Sequence, residues 1–172
     1  VPAYLASLQE KSGGPLVEGG EELYGMLRGD CHLHSDWSDG GSPIDEMVLT
    51  GIELGHEWMV LTDHSPQLRV ANGLTVERLR QQLKLVDGVN RSLAGHFTLL
   101  KGIESDILED GSLDYPDTVL EQLDVVIGSI HQRYSQDEDA MTNRVLNAFD
   151  NPHFQIWGHP TGRLLNRREP AP

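Results

Sequence analysis

Short apolar segments of this chain repeatedly end on a histidine or a carboxylate, and helical patterns separate the segments. This alternation predicts parallel strands in a β/α architecture. The active site of a β/α barrel lies at the carboxyl ends of its strands, so we expect the terminal side chains to converge there. Imidazoles beside a carboxylate are typical ligands of divalent transition metals. The pattern therefore predicts a metal-dependent hydrolase whose candidate ligands are His32, His34, His64, Glu104, His131 and His159.

Four helical patterns lie between the predicted strands. The first is capped by Ser42, with Pro43 at the first helical position. The second begins at Thr75, the third at Pro116, and the fourth covers about residues 138–149. Their apolar stripes are typical of helices that face a core.

Composition limits the class of protein. The chain has 172 residues, a formal net charge of −14 and one cysteine. This length suits a single domain. The acidic balance argues against a general binder of nucleic-acid backbones, since such proteins carry a basic face. It does not exclude a phosphate-ester substrate, because bound metal ions make the electrostatic potential at their site positive. The sequence shows no membrane span and no leader, and Cys31 cannot form an internal disulfide, so we expect a cytoplasmic protein.

Both ends of the sequence indicate a piece of a longer protein. There is no initiator methionine, and the chain stops soon after the fifth predicted strand, although a closed barrel needs more strands. We interpret residues 1–26 as a linker or tail of an upstream region, with one amphipathic turn at residues 4–8. Residues 27–172 form the predicted catalytic domain, incomplete at its carboxyl end.

The first predicted strand ends in two histidines separated by one residue. Strand side chains alternate, so Asp30, His32 and His34 are expected on one face and Cys31 and Leu33 on the other. Asp30 would then orient a ring nitrogen of a histidine. Cys31 would point away from the site as an apolar-like residue.

Six short motifs carry the candidate ligands, and they are His32-Leu33-His34, Ser38-Asp39-Gly40, Thr62-Asp63-His64-Ser65, Gly102-Ile103-Glu104, Ser129-Ile130-His131 and Gly158-His159-Pro160-Thr161-Gly162-Arg163. In this order they resemble the PHP (polymerase and histidinol phosphatase) family. The resemblance covers about residues 28–168 and is to the PHP domain of bacterial family X DNA polymerases and to related stand-alone bacterial PHP proteins.

The resemblance implies a distorted (β/α)7 PHP barrel, truncated here to about its first five β/α units. It also implies up to three divalent metals, which would be zinc, manganese or iron. The implied ligands are His32 and His34 for a first ion, His131 and His159 for a second, Glu104 as the bridge between these two, and Asp39 and His64 for a third. The family's last motif, Asp-x-His, should supply one ligand each to the first and third ions, and it has no counterpart in this chain.

The implied chemistry is hydrolysis by a metal-activated water, without a serine or cysteine nucleophile. Its catalytic residues would be Glu104, His131 and Asp39. The candidates to bind substrate phosphate are Arg69, Arg163 and Lys101. The alternative for each of them is a solvated charge on the surface. The residues expected to have structural, packing or solvent-exposed roles are His56, His96, His153, Trp37, Tyr134 and, as a hydrogen-bond anchor, Asp63.

Three functions are compatible with these residues. The first is a phosphoesterase, either a 3′–5′ exonuclease or phosphodiesterase that reaches DNA through an upstream domain, or a small-molecule phosphatase. The second is a structural metal-binding module that supports a DNA polymerase. The third is a hydrolase of another bond, such as an amidohydrolase, but that class usually has a lysine where this chain has Glu104. We favour the phosphoesterase.

Overall fold

Five strands form one parallel sheet, and their order in the sheet is their order in the chain. A computed structural model of the chain describes residues 18–163, 167, 169 and 170, so the turn predicted at residues 4–8 lies outside the described residues. The strands are β1 (Gly29–Leu33), β2 (Trp58–Leu61), β3 (Thr98–Asp106), β4 (Val125–Ser129) and β5 (Ile156–Trp157). Helices connect successive strands, which confirms the predicted β/α architecture.

Four of the described helices begin close to the residues that the sequence indicated, whereas the first, α1, was not predicted. They are α1 (Gly20–Met26), α2 (Ile44–Glu53), α3 (Val76–Leu93), α4 (Asp117–Leu120) and α5 (Glu138–Phe149), with a 3₁₀ turn at Arg69–Ala71. The Thr75 side chain caps α3 by accepting a hydrogen bond from the Arg78 amide. The prediction for α2 was wrong in detail, because Pro43 itself is the cap residue and no side chain caps this helix.

Helix α1 lies in the segment interpreted as a linker. None of its residues is buried, so it contributes no buried side chain to the core. No helix in the described part of the chain is long and apolar enough to cross a membrane.

Strand β3 joins two halves of the sheet. Its residues 98–101 pair with β2, whereas residues 102–106 pair with β4. The changeover falls at Gly102, where a Cβ would lie 2.5 Å from the Val60 side chain and 2.8 Å from the Leu61 carbonyl oxygen. Only glycine allows this close approach. The sheet curls here into part of a barrel.

The helices cover the outer face of this sheet and bury the core. Met59, Leu61 and Leu99 pack with α2 and α3, and a second cluster around Ile103 and Val126 packs with α3, α4 and α5. The inner face is different. It exposes an open apolar concavity lined by Cys31, Trp58, Val60, Thr98, Leu100 and Val125.

Candidate metal centre

The pairing of β1 with β2 is irregular next to His32 and His34. Asp30 is opposite Met59 and Leu33 is opposite Leu61, so the register shifts between them. Such an irregularity redirects side chains. The predicted alternation was therefore wrong for Asp30, which lines a cavity beside α2 together with Leu33. It was also wrong for Cys31, which lies on the inner face of the sheet and not on the face of Leu33. Its Oδ1 accepts a hydrogen bond from the His32 backbone amide at 3.1 Å instead of orienting a ring nitrogen.

Glu104 is the centre of the site. It lies near the end of β3, and only 1% of its surface is exposed. Two histidines face its Oε1, and the distances are 2.8 Å to His159 Nε2 and 3.3 Å to His131 Nε2. Three others face Oε2, and the distances are 3.0 Å to His64 Nδ1, 3.2 Å to His32 Nε2 and 3.4 Å to His34 Nε2. One carboxylate thus contacts two separate groups of histidines.

Asp39 approaches the same site from the loop after β1. Its Oδ1 lies 3.4 Å from His64 Nε2 and 3.9 Å from His34 Nδ1. About half of the Asp39 side chain is exposed, whereas His64 is buried. The structure therefore brings together all seven residues that the sequence nominated as ligands, with Asp39 on the solvent side.

The site strongly favours the charged form of Glu104. Burial opposes ionisation, but hydrogen bonds with His131, His159 and His32 outweigh it and hold the pKa of the carboxyl far below its usual range. For His131, burial lowers the pKa, whereas hydrogen bonds to Asp106 and Glu104 raise it, and the net result is a pKa of about 9.

For two other histidines the net shift of the pKa is opposite to that of His131. Burial lowers the pKa of His34 and of His64, and attraction to Glu104 offsets only part of the change. Both therefore favour the neutral imidazole, the form that binds metals.

Several buried polar atoms at this site lack a hydrogen bond. They include Nδ1 of His34, Nδ1 of His64 and Oε2 of Glu104. Leaving such atoms without a partner is costly, and a cation satisfies lone pairs on nitrogen and oxygen together. The sets whose ligand atoms lie close enough to share one ion are His32–Glu104–His159, His34–Asp39–His64 and His64–Glu104–His131. The residues present therefore fit divalent metal ions.

Two buried aspartates support the ligands. Asp63 was predicted to be a hydrogen-bond anchor, and this is confirmed, since it accepts bonds from Ser35, Ser38 and Gln82. Asp106 was missed. Its carboxylate is hydrogen-bonded to Nδ1 of His131. The available signal was its position two residues after Glu104, which places both side chains on one face of a strand.

The candidate phosphate-binding residues lie in different surroundings. Arg69 and Arg163 are exposed, in the segments that follow β2 and β5. The prediction for Lys101 was wrong, because its Nζ lies 2.6 Å from Asp87 of α3, on the helix-covered face of the sheet. Trp37 and Tyr134 pack against the core clusters, as expected.

The remaining histidines stay outside the cluster. His56 and His153 are half-buried and His96 is exposed, which agrees with the structural or exposed roles expected for all three.

Comparisons with known proteins relate the chain to one family. The model described as PHP domain matches residues 30–161. The chain is 50% identical over 144 residues to the DNA polymerase/3′-5′ exonuclease PolX of Bacillus subtilis, covering 84% of this chain and 25% of that protein. It is 33% identical over 137 residues to a probable phosphatase of Thermoanaerobacter sp. (strain X514), covering 76% of this chain and 53% of the relative.

A solved structure shows the same fold. The crystal structure of the putative histidinol phosphatase from Listeria monocytogenes matches with a TM-score of 0.52 at 19% identity, over 65% of this chain and 51% of that one. The chain thus spans between a quarter and about half of the relatives that it matches.

Proposed function

Because the chain belongs to the PHP family, we propose that it carries the metal-binding site of a phosphoesterase. The observation that supports this most strongly is the environment of Glu104, whose two carboxylate oxygens face different histidine groups. A carboxylate in this position is suited to bridge two ions and to fix their separation.

The proposed assignment divides the clustered residues among three ions. His32 and His34, which face Oε2 of Glu104, would hold a first ion, and His131 and His159, which face Oε1, would hold a second. Asp39 and His64 would hold a third ion. Zinc, manganese or iron suits this mixture of imidazole and carboxylate. Bound ions of this kind polarise phosphoryl oxygens and lower the pKa of water.

The chain's own residues then have separate tasks in hydrolysis. Glu104, His131 and Asp39 would organise the reacting centre, while Arg69 and Arg163, which are exposed, would bind substrate phosphate through paired N–H donors. We propose a phosphodiester substrate, cleaved as in a 3′–5′ exonuclease. The 50% identity to PolX supports this choice. A small phosphomonoester is the second candidate, supported by the lower identity to probable phosphatases.

The test is a charge-removing change at Glu104 in the full-length protein. Glu104→Gln keeps the side-chain shape but removes the bridging charge, so we expect hydrolysis to fall at least roughly a hundredfold. Single-stranded DNA, a generic phosphodiester and a generic phosphomonoester are assayed with added manganese or zinc. Glu121→Gln, a change at an exposed residue after α4, is the matched control and should retain full activity.

The same assay separates the alternatives. Activity that resists a chelator, or an unimpaired Glu104→Gln enzyme, rules out the proposed mechanism. Preference for the monoester selects the small-molecule phosphatase. A folded, metal-loaded protein without hydrolytic activity selects the structural module.

A further inference from the structure

Asp106 pairs with one nitrogen of a proposed metal ligand. It is the last residue of β3, and only 2% of its surface is exposed. Its Oδ1 is hydrogen-bonded to Nδ1 of His131, while the other ring nitrogen, Nε2, lies 3.3 Å from Oε1 of Glu104. The imidazole is therefore held between two carboxylates, with one nitrogen directed at each.

This arrangement decides which nitrogen carries the hydrogen in a neutral imidazole. An ionised carboxylate accepts hydrogen bonds but donates none, and a neutral imidazole has one N–H and one lone pair. Nδ1 must therefore carry the hydrogen that Asp106 accepts. The lone pair is then on Nε2, the nitrogen that faces Glu104.

We infer that Asp106 is a positioning residue for metal binding, which fixes the tautomer and the ring orientation of His131 so that Nε2 is the ligand atom. The inference rests on the proposed function, because it needs His131 to be a ligand. Carboxylates that orient a metal-bound histidine in this way strengthen metal binding.

Hydrogen bonds from neighbouring residues hold Asp106 and His131 beside each other. The Asp106 amide donates to Ser65 Oγ at 3.0 Å. The buried guanidinium of Arg144 donates to the carbonyl oxygens of Ile107 and Gln132, the residues that follow Asp106 and His131. Arg144 thus ties together the two loops from which the pair projects, and its positive charge attracts the Asp106 carboxylate.

A double-mutant cycle tests the inference with calorimetric titration of Zn²⁺ or Mn²⁺ into the chelator-treated chain. We expect Asp106→Asn to weaken the affinity of one ion by roughly 10–100-fold. In a His131→Ala background the same change should have no further effect, since coupled residues are not additive. Asp110→Asn, a change of the same type at an exposed residue of the loop that follows β3, is the control and should keep the parental affinity.

A second measurement does not depend on how well the variants fold. Nitrogen-15 NMR of the zinc-loaded parental chain should show His131 protonated at Nδ1 and metal-bound at Nε2. The opposite tautomer overturns the inference. So does an Asp106→Asn protein with parental affinity, or an equal loss in both backgrounds.

The outcomes also separate this inference from the proposed function. If the parental chain binds neither ion, both fail. If His131→Ala binds metal as the parent does, then His131 is not a ligand, and both the second-ion assignment and the role of Asp106 fail. If only the Asp106 changes are silent, the metal site stands without the positioning role.

Discussion

Protons and metal ions compete for His131. Its pKa is raised to about 9 in the metal-free protein, because hydrogen bonds to Asp106 and Glu104 outweigh the effect of burial. The ring is therefore protonated at neutral pH, and an ion must displace that proton to bind. The pKa values of His34 and His64 are instead lowered, mainly by burial, so their protonation takes place in a more acidic range.

We therefore expect Zn²⁺ affinity to rise as the pH increases from 6.5 to about 9, the range between the ordinary and the raised pKa of His131. Binding at pH 7.5 should release a proton, measured by calorimetry in two buffers of different ionisation enthalpy. His131→Ala should release fewer protons. An unchanged release would show that His131 loses no proton on binding.

The same shift makes a prediction about the stability of the metal-free chain. A pKa raised on folding contributes stability that is fully present below the unfolded value of 6.5 and is lost as the pH rises through about 9. The free energy of unfolding should fall over this range, and the difference in this free energy between the parent and His131→Ala, measured by urea titration, should shrink as the pH rises. A difference that does not change with pH would contradict the shift.

Asp63 connects several elements through one buried carboxylate. It lies two residues after β2 and accepts hydrogen bonds at 2.8 Å from the Ser35 amide, 2.6 Å from Ser35 Oγ, 2.5 Å from Ser38 Oγ and 2.6 Å from Gln82 Nε2 of α3. These bonds hold the loop that carries Asp39 against the sheet and the helix.

We expect Asp63→Asn to lower the free energy of unfolding by about 1–3 kcal/mol, because an amide group leaves at least one buried donor without an acceptor. Urea denaturation of the metal-free chain measures this change. Asp36→Asn, at an exposed residue of the same loop, is the control and should change the value by less than about 0.5 kcal/mol. Equal stability of both variants would mean that the network contributes nothing measurable.

The spacing of apolar residues in the sequence predicted the strands and most of the helices well. It did not predict local irregularities or contacts between distant residues. The strands and the helix that begins after Thr75 follow from apolar spacing and local capping, which are properties of neighbouring residues. The bulge between Asp30 and Leu33 depends on pairing with β2, so alternation within β1 could not reveal it. The role of Asp106 depends on His131, which becomes its neighbour only when β3 and β4 pair. The Lys101 prediction failed for the same reason, since Asp87 lies on a helix packed against the strand.

The exposed inner face of the sheet should determine whether the isolated chain associates with copies of itself. Helices cover the outer face, but Cys31, Trp58 and Leu100 line an open apolar concavity on the other side. Exposed apolar surfaces of this kind promote association. The chain's negative charge opposes association at low salt and is screened at high salt.

We therefore expect the isolated chain to self-associate, more strongly at high ionic strength, when examined by sedimentation velocity over a range of concentrations. Leu100→Glu should reduce association by placing a charge in the concavity. Leu85→Glu, on the exposed side of α3, should affect it less. A parental chain that stays monomeric at every concentration and salt level would contradict this expectation.

Strand β3 pairs with β2 along one part and with β4 along the other, and this has a consequence for the cooperativity of unfolding. The first group of histidines comes from β1 and from the segments that follow β1 and β2, whereas the second comes from the segments that follow β4 and β5. Glu104 lies in the strand that both halves share. Because Glu104 lies in the part of β3 that pairs with β4, an ion held by His32, His34 and Glu104 binds only when the two halves are folded against each other. Its binding free energy then opposes partial unfolding of either half, so metal loading should sharpen the unfolding transition as well as raise its midpoint.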